Sequence, residues 1–187
     1  LFRSNAESPT SALVIGAGIA GASVARQLAR RGIAVQVIER ERPAAGASGN
    51  PVAIVRPELG AIGNPVTEIT AAGAGWLRRW IDHQPHAVPH AWCGVLRIAR
   101  DARKHDKMAQ LQAIAREDWL QTIDRQTAAQ LCGWPPAADG FFLPEAGWVA
   151  AAKLVVAMLD HPLIALHSGV QAQRIQRQAQ GWRVTLD

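Results

Sequence analysis

Residues 12–39 read ALVIGAGIAGASVARQLARRGIAVQVIE, and this stretch decides the fold. A short apolar run at 12–15 predicts a strand, the Ala-rich segment 19–31 predicts a helix, and 34–38 predicts a second strand. Gly32 suits the C-terminal cap of the helix, because glycine adopts the left-handed conformation at little cost. A strand, a helix and a strand within about 30 residues predict a right-handed unit of parallel β-structure.

Three glycines, Gly16, Gly18 and Gly21, separate the first strand from the helix. We expect Gly16 to form the tight turn, Gly18 to let the backbone approach a pyrophosphate, and Gly21 to let the helix pack closely on the sheet. The helix begins with Ile19 and Ala20, so unpaired amides and the positive end of the helix dipole face the diphosphate. The turn therefore predicts a nucleotide-binding site.

An acidic residue follows at the end of the second strand. Glu39 lies 18 residues after Gly21, where its carboxylate can accept hydrogen bonds from both ribose hydroxyls of an adenine dinucleotide. The same carboxylate would repel a 2′-phosphate, which disfavours NADP. NAD and FAD share these features, so this part of the chain predicts an adenine dinucleotide without choosing between the two.

The segment after Glu39 bears on that choice. A simple nicotinamide-binding fold predicts a second helix soon afterwards, but residues 40–51 read RERPAAGASGNP, and 42–65 as a whole predict a long ordered loop. At these residues the chain resembles the D-amino acid oxidase superfamily of FAD-dependent amine oxidoreductases. In that superfamily the equivalent loop lies along the diphosphate and the flavin, which implies FAD contacts at Arg40, Ser48, Gly49 and Asn50.

Three stretches narrow the resemblance. They are GASGN at 46–50, HAWCGV at 90–95 and GFFLPEAGWV at 140–149. With them the chain is similar, over residues 12–187 and in the same order, to the oxidoreductase half of MnmC, the tRNA 5-methylaminomethyl-2-thiouridine biosynthesis bifunctional family. The glycine turn is common to many flavoproteins, whereas the Trp-Cys-Gly and Gly-Trp segments are more selective.

This resemblance implies an enzyme that uses FAD to oxidise the carboxymethylaminomethyl group on the wobble uridine of tRNA. Hydride passes to the flavin from the carbon next to nitrogen, the imine hydrolyses, and glyoxylate leaves an aminomethyl group on the base. The resemblance also implies an upstream S-adenosylmethionine-dependent methyltransferase domain, and a contact from the strand at 171–175 to adenine, best matched by Ala172. A complete family member continues well beyond Asp187, so no catalytic residue is assigned.

The remaining segments alternate between helical and extended patterns. Helices are predicted at 65–82, 101–116, 124–131 and 149–159, and strands at 92–99, 141–143, 163–167, 170–177 and 182–186. The predicted fold is α/β and looks truncated. It combines a tail or linker at 1–11, a discontinuous Rossmann-like FAD-binding domain with a parallel sheet at 12–58 and 146–187, and an inserted α+β substrate region at 59–145.

The composition is that of an ordinary globular protein, with 49% hydrophobic and 19% charged residues and a net charge of +5. This charge permits a polyanion such as tRNA as a partner, although 17 of the 20 basic residues are Arg and neither half is a basic tail. Cys93 and Cys132 have no CxxC spacing, which favours a reducing, cytoplasmic compartment over a disulfide framework. No uncharged stretch approaches the ~18 apolar residues of a membrane span.

Other functions are weaker interpretations of the same sequence. His83, His86 and His90 have spacings that suit a metal-binding helix face, but Pro85 and Pro89 break that helix, so no metal is predicted. Two alternatives to the tRNA reaction stay open. One is a small-molecule amine or amino-acid oxidase of the same superfamily, and the other is a nucleotide-binding module without turnover.

Overall fold

The structure is a computed structural model that describes residues 9–60, 64–84, 88–98, 106, 110, 119–179 and 181–187. The chain divides into two units, one containing the residues up to Val52 together with Ala150–Asp187, and the other Ala53–Val149. The helices are α1 (Ile19–Ala29), α2 (Pro65–Asp82), α3 (Arg125–Cys132) and α4 (Ala151–Leu159). The strands are β1 (Ser11–Ile15), β2 (Ala34–Glu39), β3 (Ala53–Val55), β4 (His90–Ala91), β5 (Val95–Ile98), β6 (Gln121–Ile123), β7 (Gly140–Leu143), β8 (Gly147–Val149), β9 (Ile164–Ser168), β10 (Ala172–Gln178) and β11 (Gly181–Leu186).

The first unit is built on a parallel three-stranded sheet in the order β1-β2-β9. Ile15 pairs with Ile38, and Ile38 pairs with His167, so the carboxyl ends of the three strands lie side by side. Helix α1 packs against α4, and its buried side chains are the small ones of Ala22, Ala25 and Ala29. The predicted α/β class with a parallel sheet is confirmed.

An antiparallel hairpin of β10 and β11 completes this unit. The two chain ends of the hairpin are joined where the amide of Gln171 donates to the carboxylate of Asp187 at 2.6 Å. The segment just before the hairpin is attached to the sheet, because the amide of Val170 donates to the carbonyl oxygen of Glu39 at 3.1 Å. These bonds hold residues 170–172 next to the end of β2.

The second unit contains two antiparallel sheets, in the orders β3-β8-β4 and β5-β7-β6. Its hydrophobic core consists of Leu59, Leu120, Phe141, Leu143 and Ala146, against which Val95 and Trp119 pack. Phe141 and Leu143 belong to β7 and Val95 belongs to β5, so this core packs on the β5-β7-β6 sheet.

Helix α2 begins and ends where the sequence predicts. Its N-cap Asn64 accepts the amide of Val66 at 2.9 Å through Oδ1, and Pro65 occupies the first helical position, where its missing N–H costs nothing. Trp76 and Trp80 lie on one face with ring centroids 6.1 Å apart. The predicted spacing of these two rings therefore corresponds to a stacked pair.

Several element bounds differ from the prediction. The loop predicted at 42–65 contains β3, which pairs with β8. The helix predicted at 149–159 starts at Ala151, because Val149 belongs to β8. Of the helix predicted at 101–116, only residues 106 and 110 are described.

Candidate dinucleotide-binding site

The glycine turn between β1 and α1 has a backbone that larger residues do not adopt easily. Gly16 has a φ of +97°, in the left-handed region, and its amide donates to the carbonyl oxygen of Ile38 at 2.8 Å. A Cβ on Gly21 would lie 1.9 Å from the carbonyl oxygen of Gly16 and 3.4 Å from Cγ1 of Val14. Gly21 is therefore required first by the turn itself and only secondly by the packing of α1 on the sheet.

The first turn of α1 presents unpaired donors. Gly18 is the N-cap, and it has no side chain to accept the amides that follow. Within the described part of the chain, the backbone amides of Gly18, Ala20 and Gly21 have no hydrogen-bond acceptor, whereas that of Ile19 donates to Oγ of Ser48 at 2.9 Å. Free amides and the helix dipole together favour an anion at this position.

The carboxylate of Glu39 is held against the same turn. Its Oε2 accepts the amide of Ala17 at 2.8 Å, and its Oε1 accepts the amide of Glu41 at 3.0 Å. Burial alone would raise the pKa of Glu39, but these hydrogen bonds and the charge of Arg40 bring it below its ordinary value. The group is therefore ionised at neutral pH, and its remaining lone pairs can accept further hydrogen bonds.

A cleft of about 260 Å³ opens beside Glu39. Three segments line it, and they are Ile15–Gly16, Ile38–Arg40 and Val170–Ala172. The cleft lies at the carboxyl edge of the parallel sheet, where open α/β folds bind their ligands. Four residues predicted from the sequence, Gly16, Glu39, Arg40 and Ala172, meet here.

The residues around this cleft fit an adenine dinucleotide. An ionised carboxylate held at the edge of the cleft suits ribose hydroxyls and opposes a 2′-phosphate. The unpaired amides at the start of α1 suit a diphosphate, because each can donate one hydrogen bond to a phosphate oxygen. Two separate chemical requirements of the ligand are thus met within one unit.

The loop after β2 folds back onto the glycine turn. The amide of Ala44 donates to the carbonyl oxygen of Ala17 at 3.0 Å, and a Cβ on Gly18 would lie 3.3 Å from Oγ of Ser48. A Cβ on Gly49 would lie 2.4 Å from the carbonyl oxygen of Ala44, so the packing of the loop requires this glycine. The structure therefore places Ser48 beside the start of α1, where the diphosphate is predicted to bind. The presence of glycine at position 49 is explained by the close packing of the loop.

Two residues predicted for the site make few contacts with the rest of it. Asn50 follows the single 3-10 turn Ala47–Gly49, is exposed, and makes no side-chain hydrogen bond to any other described residue. The side chain of Arg40 forms an ion pair with Glu41 at 3.3 Å, with both side chains more than half exposed. Such a pair contributes little to stability, so Arg40 is available to a ligand in the cleft.

Sequence reasoning missed three residues of the site, Ala17, Val170 and Gln171. The backbone amides of Ala17 and Val170 donate hydrogen bonds to Glu39. Because the side chains are not involved, the residue types at these positions do not predict a role in the site. The position of β9 in the sheet could have indicated Val170 and Gln171 indirectly. β9 ends at Ser168, on the same sheet edge as β1 and β2, so the residues directly after it belong beside Glu39.

The selective motifs of the second unit contact one another. Gly94 has a φ of +79°, and a Cβ there would lie 2.1 Å from the ring of Phe142. A Cβ on Gly147 would lie 2.0 Å from the carbonyl oxygen of Ala91, and the amide of Gly94 donates to the carbonyl oxygen of Ala146 at 2.9 Å. Close packing between β4, β8 and β7 therefore explains why the Trp-Cys-Gly and Gly-Trp segments contain glycine.

The histidines considered for a metal have backbone partners. Nδ1 of His83 lies 2.7 Å from the carbonyl oxygen of Arg79, and Nδ1 of His90 lies 2.7 Å from that of Val88. Residue 86 is outside the described ranges. Within those ranges the structure gathers no three potential metal ligands from His, Cys, Asp and Glu, and contains no helix that is long and apolar enough to cross a bilayer.

Comparison with known proteins identifies the family of the chain. The sequence model of the family of FAD-dependent oxidoreductases named DAO matches residues 11–187, nearly the whole chain. The chain belongs to this family. The predicted D-amino acid oxidase resemblance, the oxidoreductase class and FAD as the cofactor of the family are confirmed.

Curated relatives carry the name of the narrower family that the motifs predict. The chain is 38% identical over 178 residues to the tRNA 5-methylaminomethyl-2-thiouridine biosynthesis bifunctional protein MnmC of Pseudomonas entomophila, covering 93% of this chain and 27% of that protein. It is 42% identical over 191 residues to MnmC of Thiobacillus denitrificans, covering 97% of this chain and 30% of that protein. The chain thus spans less than a third of the length of these relatives.

A solved structure extends the similarity to the fold. Glycine oxidase from Geobacillus kaustophilus matches with a TM-score of 0.80 and 16% sequence identity, over 95% of this chain and 51% of that chain. At this identity the match shows a shared fold alone. The fold of this family member is therefore that of an FAD-dependent oxidase over nearly all of its length.

Proposed function

We propose that this chain is part of an FAD-dependent enzyme that oxidises the carboxymethylaminomethyl group on the wobble uridine of tRNA, releasing glyoxylate and leaving an aminomethyl group. The observation that carries the proposal is the 38% and 42% identity to two MnmC proteins over 93% and 97% of this chain. Matches of that extent run through both units, far beyond the glycine turn that many nucleotide-binding proteins share.

In this proposal the first unit holds FAD. The backbone amides of Gly18, Ile19, Ala20 and Gly21 bind the diphosphate, with Gly16 shaping the turn. Glu39 accepts the ribose hydroxyls, Ala172 contacts adenine through its backbone, and the loop residues Arg40, Ser48, Gly49 and Asn50 lie along the diphosphate and the flavin. FAD, when bound, supplies an acceptor for the hydride of the carbon next to nitrogen.

Features of this chain support that assignment of roles. The carboxylate of Glu39 is fixed by two amide hydrogen bonds and is ionised, so it is pre-organised to accept hydroxyls without reorientation. The hydroxyl of Ser48 accepts the amide of Ile19, so it lies beside the free amides that are proposed to bind the diphosphate. The second unit then belongs to the substrate side, with tRNA as the partner and a methyltransferase domain in the same polypeptide.

The experiment is deletion of the gene in its host, followed by mass spectrometry of digested tRNA. We expect the carboxymethylaminomethyl nucleoside to accumulate and its aminomethyl and methylaminomethyl derivatives to disappear. The wild-type gene should restore them. The Glu39→Ala variant should restore them poorly, whereas the Glu41→Ala variant, altered at an exposed side chain, serves as the matched control.

Two results would contradict the proposal. One is an unchanged set of wobble nucleosides after deletion. The other is release of glyoxylate from free glycine by the purified protein in the absence of tRNA, which would assign it to the small-molecule oxidases of the same family. A protein that binds FAD yet oxidises neither substrate would support the non-catalytic alternative.

A further inference from the structure

The hairpin of β10 and β11 carries positive charge with no acidic residue among its own. Residues 170–186 contain three arginines and five glutamines, but no aspartate or glutamate. The next residue, Asp187, accepts the amide of Gln171 through its carboxylate at 2.6 Å. Soluble proteins usually mix charges of both signs on a surface, so a segment with positive charge alone attracts a polyanion.

The strand register sorts the arginines between the two faces of the hairpin. Arg174 pairs with Thr185, and Gln176 pairs with Arg183. Since side chains two residues apart lie on the same side of a strand, Arg174 and Arg183 are diagonal neighbours on one face. The side chains at the paired positions of this face, hereafter the basic face, are all polar, and they are Arg174, Gln176, Gln178, Arg183 and Thr185.

The opposite face of the hairpin has another character. It carries Ile175 opposite Val184, and Arg177 opposite Trp182. Three of these four side chains are apolar or aromatic. Antiparallel sheets commonly pack one face against other apolar groups and leave the other face to solvent, so the basic face is the one suited to a polar partner.

The charges of Arg174 and Arg183 are not neutralised within the described part of the chain. Neither side chain forms an ion pair with a described residue or donates a hydrogen bond to one, and both are exposed. Two like charges at diagonal positions repel each other, and an anion that bridges them is attracted by both. All the donors of these two guanidiniums are therefore available to such an anion.

We propose that the basic face of this hairpin binds the phosphate backbone of tRNA, with Arg174 and Arg183 on neighbouring phosphates. The inference rests on the proposed function and adds to it a surface that positions the RNA. A guanidinium matches a phosphate, because its planar fork donates two parallel hydrogen bonds. Contacts of this kind orient a nucleic acid without reading its sequence, so they leave the choice of base to other parts of the protein.

An anionic membrane is a poorer partner for this face. A protein that binds a lipid surface inserts apolar side chains at the boundary of the acyl chains, next to its basic residues. The basic face has no apolar side chain at its paired positions, and Ile175 and Trp182 belong to the opposite face. The chemistry of the basic face therefore favours RNA over lipid.

The experiment is a filter-binding titration of the full-length protein with bulk tRNA at several salt concentrations. We expect the double variant Arg174→Gln, Arg183→Gln to bind about ten- to hundred-fold more weakly, since two hydrogen-bonded charge contacts are lost. The slope of log K against log salt concentration should fall by roughly two, because each lost phosphate contact releases about one counterion fewer. Replacing both arginines by lysine keeps the charges and should retain most of the slope.

The matched control is Arg177→Gln, which removes one positive charge from the opposite face of the same hairpin. It should bind tRNA much as the wild type does. A second variant keeps the test decisive if the double variant fails to fold. Thr185→Glu places a carboxylate opposite Arg174 and leaves both arginines in place, so it should also weaken tRNA binding.

Three results would overturn the inference. They are unchanged affinity and salt slope in the double variant and in Thr185→Glu, an equal loss in Arg177→Gln, and arginine-dependent binding to phosphatidylglycerol vesicles without such binding to tRNA. A wild type that oxidises tRNA, with the same KM in the double variant, would reject the hairpin contact alone. A wild type that binds tRNA through these arginines but leaves the wobble nucleoside unchanged would reject the proposed reaction alone.

Discussion

The amide of Ala17 donates a 2.8 Å hydrogen bond to Oε2 of Glu39, which joins the glycine turn to the end of β2. The bond spans 22 residues of sequence and connects the parts of the molecule expected to meet the diphosphate and the ribose. The carboxylate is thereby oriented before any ligand arrives. This relationship leads directly to two predictions about Glu39.

The first concerns cofactor affinity. Glu39→Gln keeps the size of the side chain but loses the charge that accepts ribose hydroxyls, so the full-length protein should bind FAD about ten- to hundred-fold more weakly. Equilibrium titration followed by flavin absorbance measures this. Glu41→Gln is the control, because its side chain is 59% exposed and only its backbone amide contacts Glu39. Equal loss in both variants would show that the effect is not specific to the ribose site.

The second concerns pH. Because the pKa of Glu39 is lowered in the folded chain, its ionised form stabilises the fold above the unfolded pKa, and this contribution is lost as the pH falls through the folded pKa. The free energy of unfolding of the wild type should therefore exceed that of Glu39→Gln at pH 7, and the difference should shrink in acid. Urea denaturation at a series of pH values tests the sign. A difference that grows in acid would contradict it.

The third concerns Gly21. A methyl group there would overlap the carbonyl oxygen of Gly16 at 1.9 Å, so Gly21→Ala should destabilise the chain by about 1–3 kcal/mol and displace the first turn of α1. Gly73→Ala is the matched comparison, because a Cβ at this helical position meets no atom within 4 Å. It should stabilise α2 by about 0.5–1 kcal/mol. Thermal unfolding of the two variants separates these opposite effects.

The fourth concerns Ser48. Its Oγ accepts the amide of Ile19, so Ser48→Ala should cost about 0.5–2 kcal/mol of stability as the loss of a helix cap. Ser48→Thr retains the hydroxyl and should recover most of that loss. Because the proposed cofactor site also places Ser48 along the diphosphate, the Ala variant should lose FAD affinity while the Thr variant keeps it. Equal FAD affinity in both variants would confine Ser48 to the capping role.

The sequence predicted helices and strands best where a residue of characteristic type marks the start or end of the element. The glycine turn and Glu39 define β1, α1 and β2 to within a few residues, and Asn64 with Pro65 defines the start of α2. It failed for β3, β4 and β8, which are two or three residues long in segments that resemble loops. Their extended conformation depends on hydrogen bonds to distant partners, such as Ile54 opposite Trp148, and no local pattern reports these.

The residues of the candidate site also differ in whether a local sequence pattern predicts them. For four residues the residue type alone predicts the role, and the structure brings them together. They are Gly16, Gly18, Gly21 and Glu39. Val170 and Gln171 reach the cleft through the position of β9 and through backbone bonds, so their residue types contain no information about it. Ala172 was predicted by resemblance to a family, and it lines the cleft beside Glu39.

The most direct measurement is a crystal structure of the full-length protein with FAD. The account predicts diphosphate oxygens within hydrogen-bond distance of the amides at Gly18–Gly21, and ribose hydroxyls on the carboxylate of Glu39. FAD bound elsewhere, or a glycine turn that no phosphate approaches while the flavin is fully occupied, would contradict it.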